Sequence, residues 1–410
     1  MKILIVSQFF WPEQRTAPNN IAALAGKLAS SGHEVMVITG IPNHPRGRFY
    51  PGYRLRPVSK ESHLGAEIVR LPLFPYHGHS PVGRLANYLS FAMSVTFLGT
   101  FFALRFRPDA LFCYLAPTTL GLPAFLIRFL TNAPLAFWIT DIWAENLRAL
   151  GFDNLLCDWV AAGEKTLLRA ADLVCLDSPG FESLTLKGGI PRDKTRVVIE
   201  WADEGLFRPE QPDLQLARKH GIEHDKFVAM YAGNMGSAQG LDTVLRAGAV
   251  LRGNANVQFV LVGDGTERER LVGLASEAGL DNVVFIDRQP MDQIRHFIAL
   301  ADLMVVHLID RPIFRLQMPS KVIAYMACGK PSVCAFQGAA AQVVLSHECG
   351  FSCPPEDSVS MAAEIQRFAS LSPRERGLFG SRARKAYLDH YTLDHQAKSI
   401  EHALLEMAHA

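Results

Sequence analysis

A lysine entering a helix just behind a proline and a serine is well placed to hold an anion. Lys321 follows Pro319-Ser320 in the run QMPSKVIAYMACGKPSVCA. Upstream, the strand-like VQFVLVG delivers the chain into Gly263-Asp264-Gly265, and YAGNMG brings Gly233, Asn234 and Gly236 to a similar turn. A strand feeding glycines onto a helix start presents backbone N–H groups and the positive end of the helix dipole. Lys321 adds a full charge. Two anion-binding helix starts in one half of the chain point to a nucleoside diphosphate. Such a cation would stabilise the negative charge of a bound or departing diphosphate.

Each of these residues has a plainer reading beside the functional one. Ser320 is either an N-cap or a cap that also donates to phosphate. Arg315 is either a phosphate ligand or half of a surface ion pair. The glycines either admit a diphosphate or only make tight turns. Gly263-Asp264-Gly265 is half a dinucleotide fingerprint, but its third glycine would fall at position 268, which is Arg, and this weakens a nicotinamide reading. Arg288, just past VVFID, is a candidate flank for a base or ribose. Thr16, Asn19 and Asn20 follow the first strand and are candidates for touching donor phosphate or acceptor, with Asn19 otherwise a helix cap. Asp141 and Glu145 follow the apolar PLAFWI, where a carboxylate could take a proton from an attacking hydroxyl; for Asp141 the alternative is again a cap. His77 and His79 stay unassigned. No Asp-x-Asp occurs in the chain, so catalysis without a divalent metal is expected.

These residues need strands and helices to hold them. ILIVS, EVMVIT, EIVRLP, ALFCYL, PLAFWI and DLVCLD alternate with helical patterns, and the alternation restarts at FVAMYAG and runs through VQFVLVG, NVVFID, DLMVVH and PSVCAF. This predicts an α/β protein of two Rossmann-like, doubly wound parallel-sheet domains. A Pro-containing linker near residues 200–213 separates them. The expected domains are 1–203 and 204–392, with a terminal helix over 393–410 that could pack back on the first. Two such sheets facing across a cleft would suit joining a donor held by one domain to an acceptor held by the other.

Composition narrows the field. With 410 residues, 49% hydrophobic and 20% charged, the chain can bury two cores. A net charge of +1 excludes a strongly basic nucleic-acid binder. Seven scattered cysteines read as free thiols of a reducing compartment. The opening MKILIVSQFF reads as a buried strand, not a secretory signal. Residues 85–104, LANYLSFAMSVTFLGTFFAL, carry no charge and have Arg84 before them and Arg105 and Arg107 after. That length could span a bilayer, but Asn87, Ser90, Ser94, Thr96 and Thr100 within it favour a core helix or one lying in a membrane interface. The stretch RGRFYPGYRLRPVSK is either a solvated loop or a surface for anionic lipid or a lipid-linked phosphate.

The segments YAGNMGSAQGLDTVLRA, LVGDGTERERLVGLA, ADLMVVHL and PSKVIAYMACGKPSV resemble the family 4 retaining glycosyltransferases of GT-B fold. FFWPEQRTAPNNIAALAGKLASSGHEVMVITGIPNHPRGRFYPGY and ITDIWAEN resemble the branch that builds bacterial surface polysaccharides, the fucosamine-transferase-like and colanic-acid-type enzymes. The resemblance implies a retaining transfer from a nucleotide-sugar, UDP-linked, to a polyprenyl-diphosphate-linked saccharide. It implies an enzyme on the cytoplasmic face of the plasma membrane, acting without a bound cofactor. The chain also departs from that family. Two glutamates usual before Ala-Cys-Gly are replaced by Leu316 and Ala324, the Arg and Lys of the first phosphate loop by Asn234 and Gln239, and a His-Asp pair by Thr140-Asp141. Arg315 and Lys321 would restore the lost positive charge. The rival readings are a nucleotide-sugar epimerase or hydrolase, and a catalytically silent scaffold of a polysaccharide assembly complex.

Overall fold

A strand buried on both faces must be apolar along its whole length, and the runs above fold as such strands. The computed structural model describes all residues except 14–15, 79, 143–154, 255 and 410, and the side chain of Leu156. Two compact units emerge, Met1–Ile199 with Leu393–Ala410, and Glu200–Thr392.

In the first unit the strands are β1 (Lys2–Val6), β2 (Glu34–Gly40), β3 (Ser59–His63), β4 (Ala66–Leu71), β5 (Ala110–Tyr114), β6 (Leu135–Ile139), β7 (Leu173–Leu176) and β8 (Thr195–Val197). They form one sheet in the order β3-β4-β2-β1-β5-β6-β7-β8, parallel except for the β3–β4 pair. The chain winds outward from β1 to β4, then returns to β5 and winds the other way, so the switch point lies between β1 and β5. The helix Leu393–His409 belongs to this unit. It is tied there by Lys27–Asp394, by His33–Glu401 at 2.8 Å and by Arg196–Glu406 at 3.0 Å.

The second unit holds β9 (Phe227–Ala232), β10 (Val257–Val262), β11 (Val283–Ile286), β12 (Leu303–His307), β13 (Ser332–Ala335) and β14 (Gly350–Cys353). All are parallel, in the order β11-β10-β9-β12-β13-β14, with the switch point between β9 and β12. Its core gathers Tyr231, Met235, Phe259, Val305 and Phe368. All seven cysteines are buried, and none of them forms a disulfide.

The uncharged segment is the middle of a 26-residue helix, Pro81–Phe106, long and apolar enough by itself to cross a membrane. It comprises Pro81–Ser94, a π-helical stretch Val95–Gly99, and Thr100–Phe106, and Ser80 caps it by accepting from the Gly83 N–H. Asn87, Ser90, Ser94, Thr96 and Thr100 are engaged inward or along the helix. Asn87 donates to Phe74 O, Ser90 Oγ accepts from Phe74 N, and Ser94 Oγ donates to Pro72 O, while Thr96 and Thr100 bond back to Ala92 O and Val95 O. The opposite face leaves Val82, Leu85, Leu89, Met93, Phe97, Phe101 and Leu104 exposed. One helix therefore has an inner face stitched to the sheet and an outer face that is bare and apolar.

The sheet edge depends on a buried cation. Arg70, on β4, is 1% exposed, pairs with Glu61 of β3, and donates to Gly40 O at the end of β2 and to Trp11 O beyond the end of β1. This explains why the Ser-Lys-Glu-Ser-His stretch, without apolar content, adds a strand. Replacing Arg70 with Met should remove about 2–4 kcal/mol of stability, because the buried Gly40 O and the part-buried Trp11 O lose their donor and Glu61 loses its partner. Urea unfolding followed by tryptophan fluorescence measures it, and an unchanged midpoint would show that water replaces the guanidinium at no cost.

Candidate functional site

The loops leaving β9 and β12 flank the switch point of the second unit, where open α/β sheets receive ligands. Lys321 is the second residue of the helix Ser320–Ala327. Its partly buried Nζ donates to Tyr231 Oη at 2.8 Å and lies 4.3 Å from that ring's centre. Tyr231 in turn donates to Asn234 O, so the phenol joins the lysine to the first glycine loop. A β-carbon on Gly233 would come within 3.5 Å of Nζ. Burial lowers the Lys321 pKa to about 8, and among the described residues no carboxylate pairs with it. Tyr325, from the same helix, donates to Ala232 O at 2.8 Å and fixes the helix against the end of β9.

The glycines divide into two roles. At Gly263, φ is 149° and a β-carbon would fall 1.9 Å from Gly233 O; at Gly265, φ is 157° and it would fall 2.4 Å from Met235 O. These two glycines let the loops after β9 and β10 touch backbone to backbone, sealed by Met235 N to Asp264 O at 2.8 Å and Glu267 N to Met235 O at 2.9 Å. Asp264 also accepts from Gly265 N. Gly233 instead leaves its open side toward Lys321. Asn234 Nδ2 and Gly236 N both donate to Gln239 Oε1, at 3.2 and 3.0 Å, so the two residues standing where the family has cations bond to each other.

His307, at the end of β12, went unremarked in the sequence. It is fully buried, its Nδ1 bonds Gln239 O at 2.6 Å, and Glu356 N donates to its Nε2 at 3.1 Å. Burial lowers its pKa, so the neutral imidazole is favoured, with Nδ1–H donating and Nε2 accepting. One ring thus ties the loops after β9, β12 and β14 together. A lone histidine ending the apolar run LMVVH was the available signal.

Other candidates lie elsewhere. Arg315 is exposed and forms a bidentate pair with Asp310 at 2.8 and 3.0 Å, which is the ion-pair alternative. Ser320 does not cap: Pro319 occupies the cap position with no side-chain bond, and Ser320 is the exposed first residue of the helix. Arg288 is exposed beyond β11, the edge strand two places from β9. An open groove lined by Asp302, Lys330, Arg376 and Arg384 has its cations committed to Ala299 O, Ala301 O, Ala327 O and Asp302.

In the first unit, the helix Thr16–Ser30 begins at the exposed Thr16, so Asn19 sits inside its first turn and does not cap it, and Asn20 is buried. Asp141 is exposed just past β6, next to Thr140, whose hydroxyl bonds Tyr114 Oη at 2.8 Å. Glu145 and His79 lie outside the described residues. His77 packs against His44, their ring centres 4.5 Å apart, and both rings flank Phe9. Glu13, also unremarked in the sequence, is 1% exposed, and burial raises its carboxyl to about 7 against the backbone bonds it accepts. Its Oε1 takes the N–H groups of Asn43 and His44, both at 2.8 Å.

Comparisons with known proteins agree with this architecture. Residues 18–200 match the family described as "Glycosyl transferase 4-like domain", and residues 213–386 the family "Glycosyl transferases group 1". The putative colanic acid biosynthesis glycosyl transferase WcaI of Escherichia coli K12 is 27% identical over 81% of this chain and 83% of its own. The N-acetyl-alpha-D-glucosaminyl L-malate synthase of Bacillus anthracis is 22% identical over 90% and 88%. Among solved structures, sucrose-phosphate synthase from Thermosynechococcus elongatus superposes with a TM-score of 0.77 at 19% identity, covering 99% of this chain and 98% of that one. HepE of Anabaena, in complex with UDP, gives 0.72 at 19% identity, covering 99% and 100%. With a 4-like domain followed by a group 1 domain on two Rossmann-like sheets, the chain belongs to the family 4 glycosyltransferases of GT-B fold.

Proposed function

We propose that this glycosyltransferase moves a sugar, with retention, from a UDP-linked donor held by the second unit to a polyprenyl-diphosphate-linked saccharide received by the first. The observation that carries the donor reading is Lys321: an ammonium withdrawn from water, facing Gly233, with no carboxylate among the described residues to balance it. A diphosphate supplies the missing charge. The N-terminus of the Ser320–Ala327 helix adds to it, and the cation stabilises the leaving group without a metal. UDP follows from the likeness to HepE, solved with UDP and with UDP-glucose. A surface-glycan acceptor follows from the likeness to a protein named for colanic acid biosynthesis. Asp141 is the candidate to take the acceptor's proton, and Arg315 would have to leave Asp310 to reach phosphate.

The acceptor's lipid requires a membrane surface. The bare face of Pro81–Phe106 supplies one, extended by exposed Leu122, Phe129 and Leu130 on the Gly121–Thr131 helix. Exposed Arg84, Arg105 and Arg107 stand near its two ends to meet anionic headgroups. This reading places the enzyme peripherally on the cytoplasmic face of the membrane.

The donor reading sets function against stability at one residue. Lys321 has a native pKa below its unfolded value of 10.5, so its charge costs stability below about pH 8, and the cost fades as pH rises toward 10.5. Lys321→Met should therefore unfold at the same temperature as wild type or higher, while UDP affinity at pH 7 falls by about 10- to 100-fold. Wild-type affinity for UDP should itself weaken as pH rises through about 8. Calorimetric titration and thermal scans read both; a folded Lys321→Met protein that binds UDP normally would sink the donor reading. For the membrane, Leu89→Asp with Phe97→Asp should abolish flotation with phosphatidylglycerol-containing vesicles while leaving UDP binding intact. Undiminished flotation would remove that helix from the interface.

A further inference from the structure

The Pro81–Phe106 helix carries one fully buried amide, Asn87, on the side opposite its bare face. Asn87 Oδ1 accepts from Gln8 Nε2 at 2.6 Å, and Nδ2 donates to Phe74 O at 2.6 Å and to Asn43 Oδ1 at 3.3 Å. Gln8 lies just beyond β1 and Asn43 just beyond β2, so one helical side chain meets both loops beside the first unit's switch point. Those loops are also joined on their far side, where Glu13 from the first accepts the Asn43 and His44 N–H groups of the second. Gly40 N donates to Gln8 O at 3.2 Å, closing the ring of contacts.

Buried amides that use both donors and an acceptor are costly to disturb, since each partner would be left unsatisfied. A restraint applied to the helix from outside is therefore passed inward at this point. We propose that Asn87 is a positioning residue: when the bare helix face seats on an anionic bilayer, Asn87 transmits that restraint to the loops after β1 and β2 and so orders the place where the lipid-linked acceptor is received. This deepens the membrane reading above and rests on it. The coupling needs no large movement, only that lipid narrows the motion of a helix to which both loops are bonded.

Hydrogen exchange on the full chain tests the idea, with and without vesicles of phosphatidylethanolamine and phosphatidylglycerol. The Asn43 and His44 amides, both held by Glu13, are the reporters. In the wild type, vesicles should slow exchange across residues 7–13 and 41–50 by about fivefold or more, the worth of one hydrogen bond. Asn87→Ala should still float with the vesicles but lose the slowing. A purely structural role would instead speed exchange equally with and without lipid. Should Asn87→Ala not fold, Asn43→Ala decides: it keeps the Asn87 bonds to Gln8 and Phe74, and should lose the slowing over 41–50 alone. Vesicle binding without slowing in the wild type, or slowing retained in both variants, overturns this proposal and leaves the membrane reading standing. A wild type that does not bind the vesicles overturns both.

Discussion

An ammonium group held away from water, with no carboxylate beside it among the described residues, is the interaction on which the loops around the second unit's switch point depend. Tyr231 Oη accepts a hydrogen bond from it and offers its ring face, and the same phenol donates to Asn234 O. These contacts are far weaker compensation than a carboxylate would give. The diphosphate proposed above would complete that balance. The surrounding geometry fits that purpose: Gly233 keeps the approach to Nζ clear, and Tyr325 pins the helix that carries the lysine.

Around that lysine the loops are locked chiefly by backbone contacts and one neutral imidazole. Gly263 and Gly265 bring two loops closer than any side chain would permit, and His307 closes the other side through Gln239 and Glu356. The departures from the family pattern then make physical sense. Asn234 and Gln239 cannot hold a phosphate as cations, but they bond each other and the Gly236 amide. On the proposed donor reading, the positive charge would come instead from Lys321, on the helix behind that loop.

Much of this fold was legible as apolar runs, because parallel strands covered on both faces admit little else. The strands left unread were β3, β8 and β14: Ser-Lys-Glu-Ser-His is held by Arg70 from below, Thr-Arg-Val has three residues, and Gly-Phe-Ser-Cys lacks a continuous apolar run. In the candidate site, residue types and helix starts stood out, but their partners did not. Tyr231 and Lys321 are ninety positions apart, and Gln239 meets His307 only through the sheet. Ser320 illustrates a local limit, since a proline with extended backbone takes the cap position that a serine's chemistry would suggest for itself. The bare helix looked ambiguous because Asn87, Ser90, Ser94, Thr96 and Thr100 lie along the inner face or bond the helix's own backbone, a distinction that composition alone does not carry.

The terminal helix has a consequence for biosynthesis. Leu393–His409 completes the first unit, yet the whole of Glu200–Thr392 lies between it and the rest of that unit in the chain. Lys27, His33 and Arg196 therefore emerge from the ribosome long before Asp394, Glu401 and Glu406 exist to meet them. The later-made half can close its core first, while the earlier-made half waits with an uncovered flank, the reverse of the usual order in which domains mature during translation.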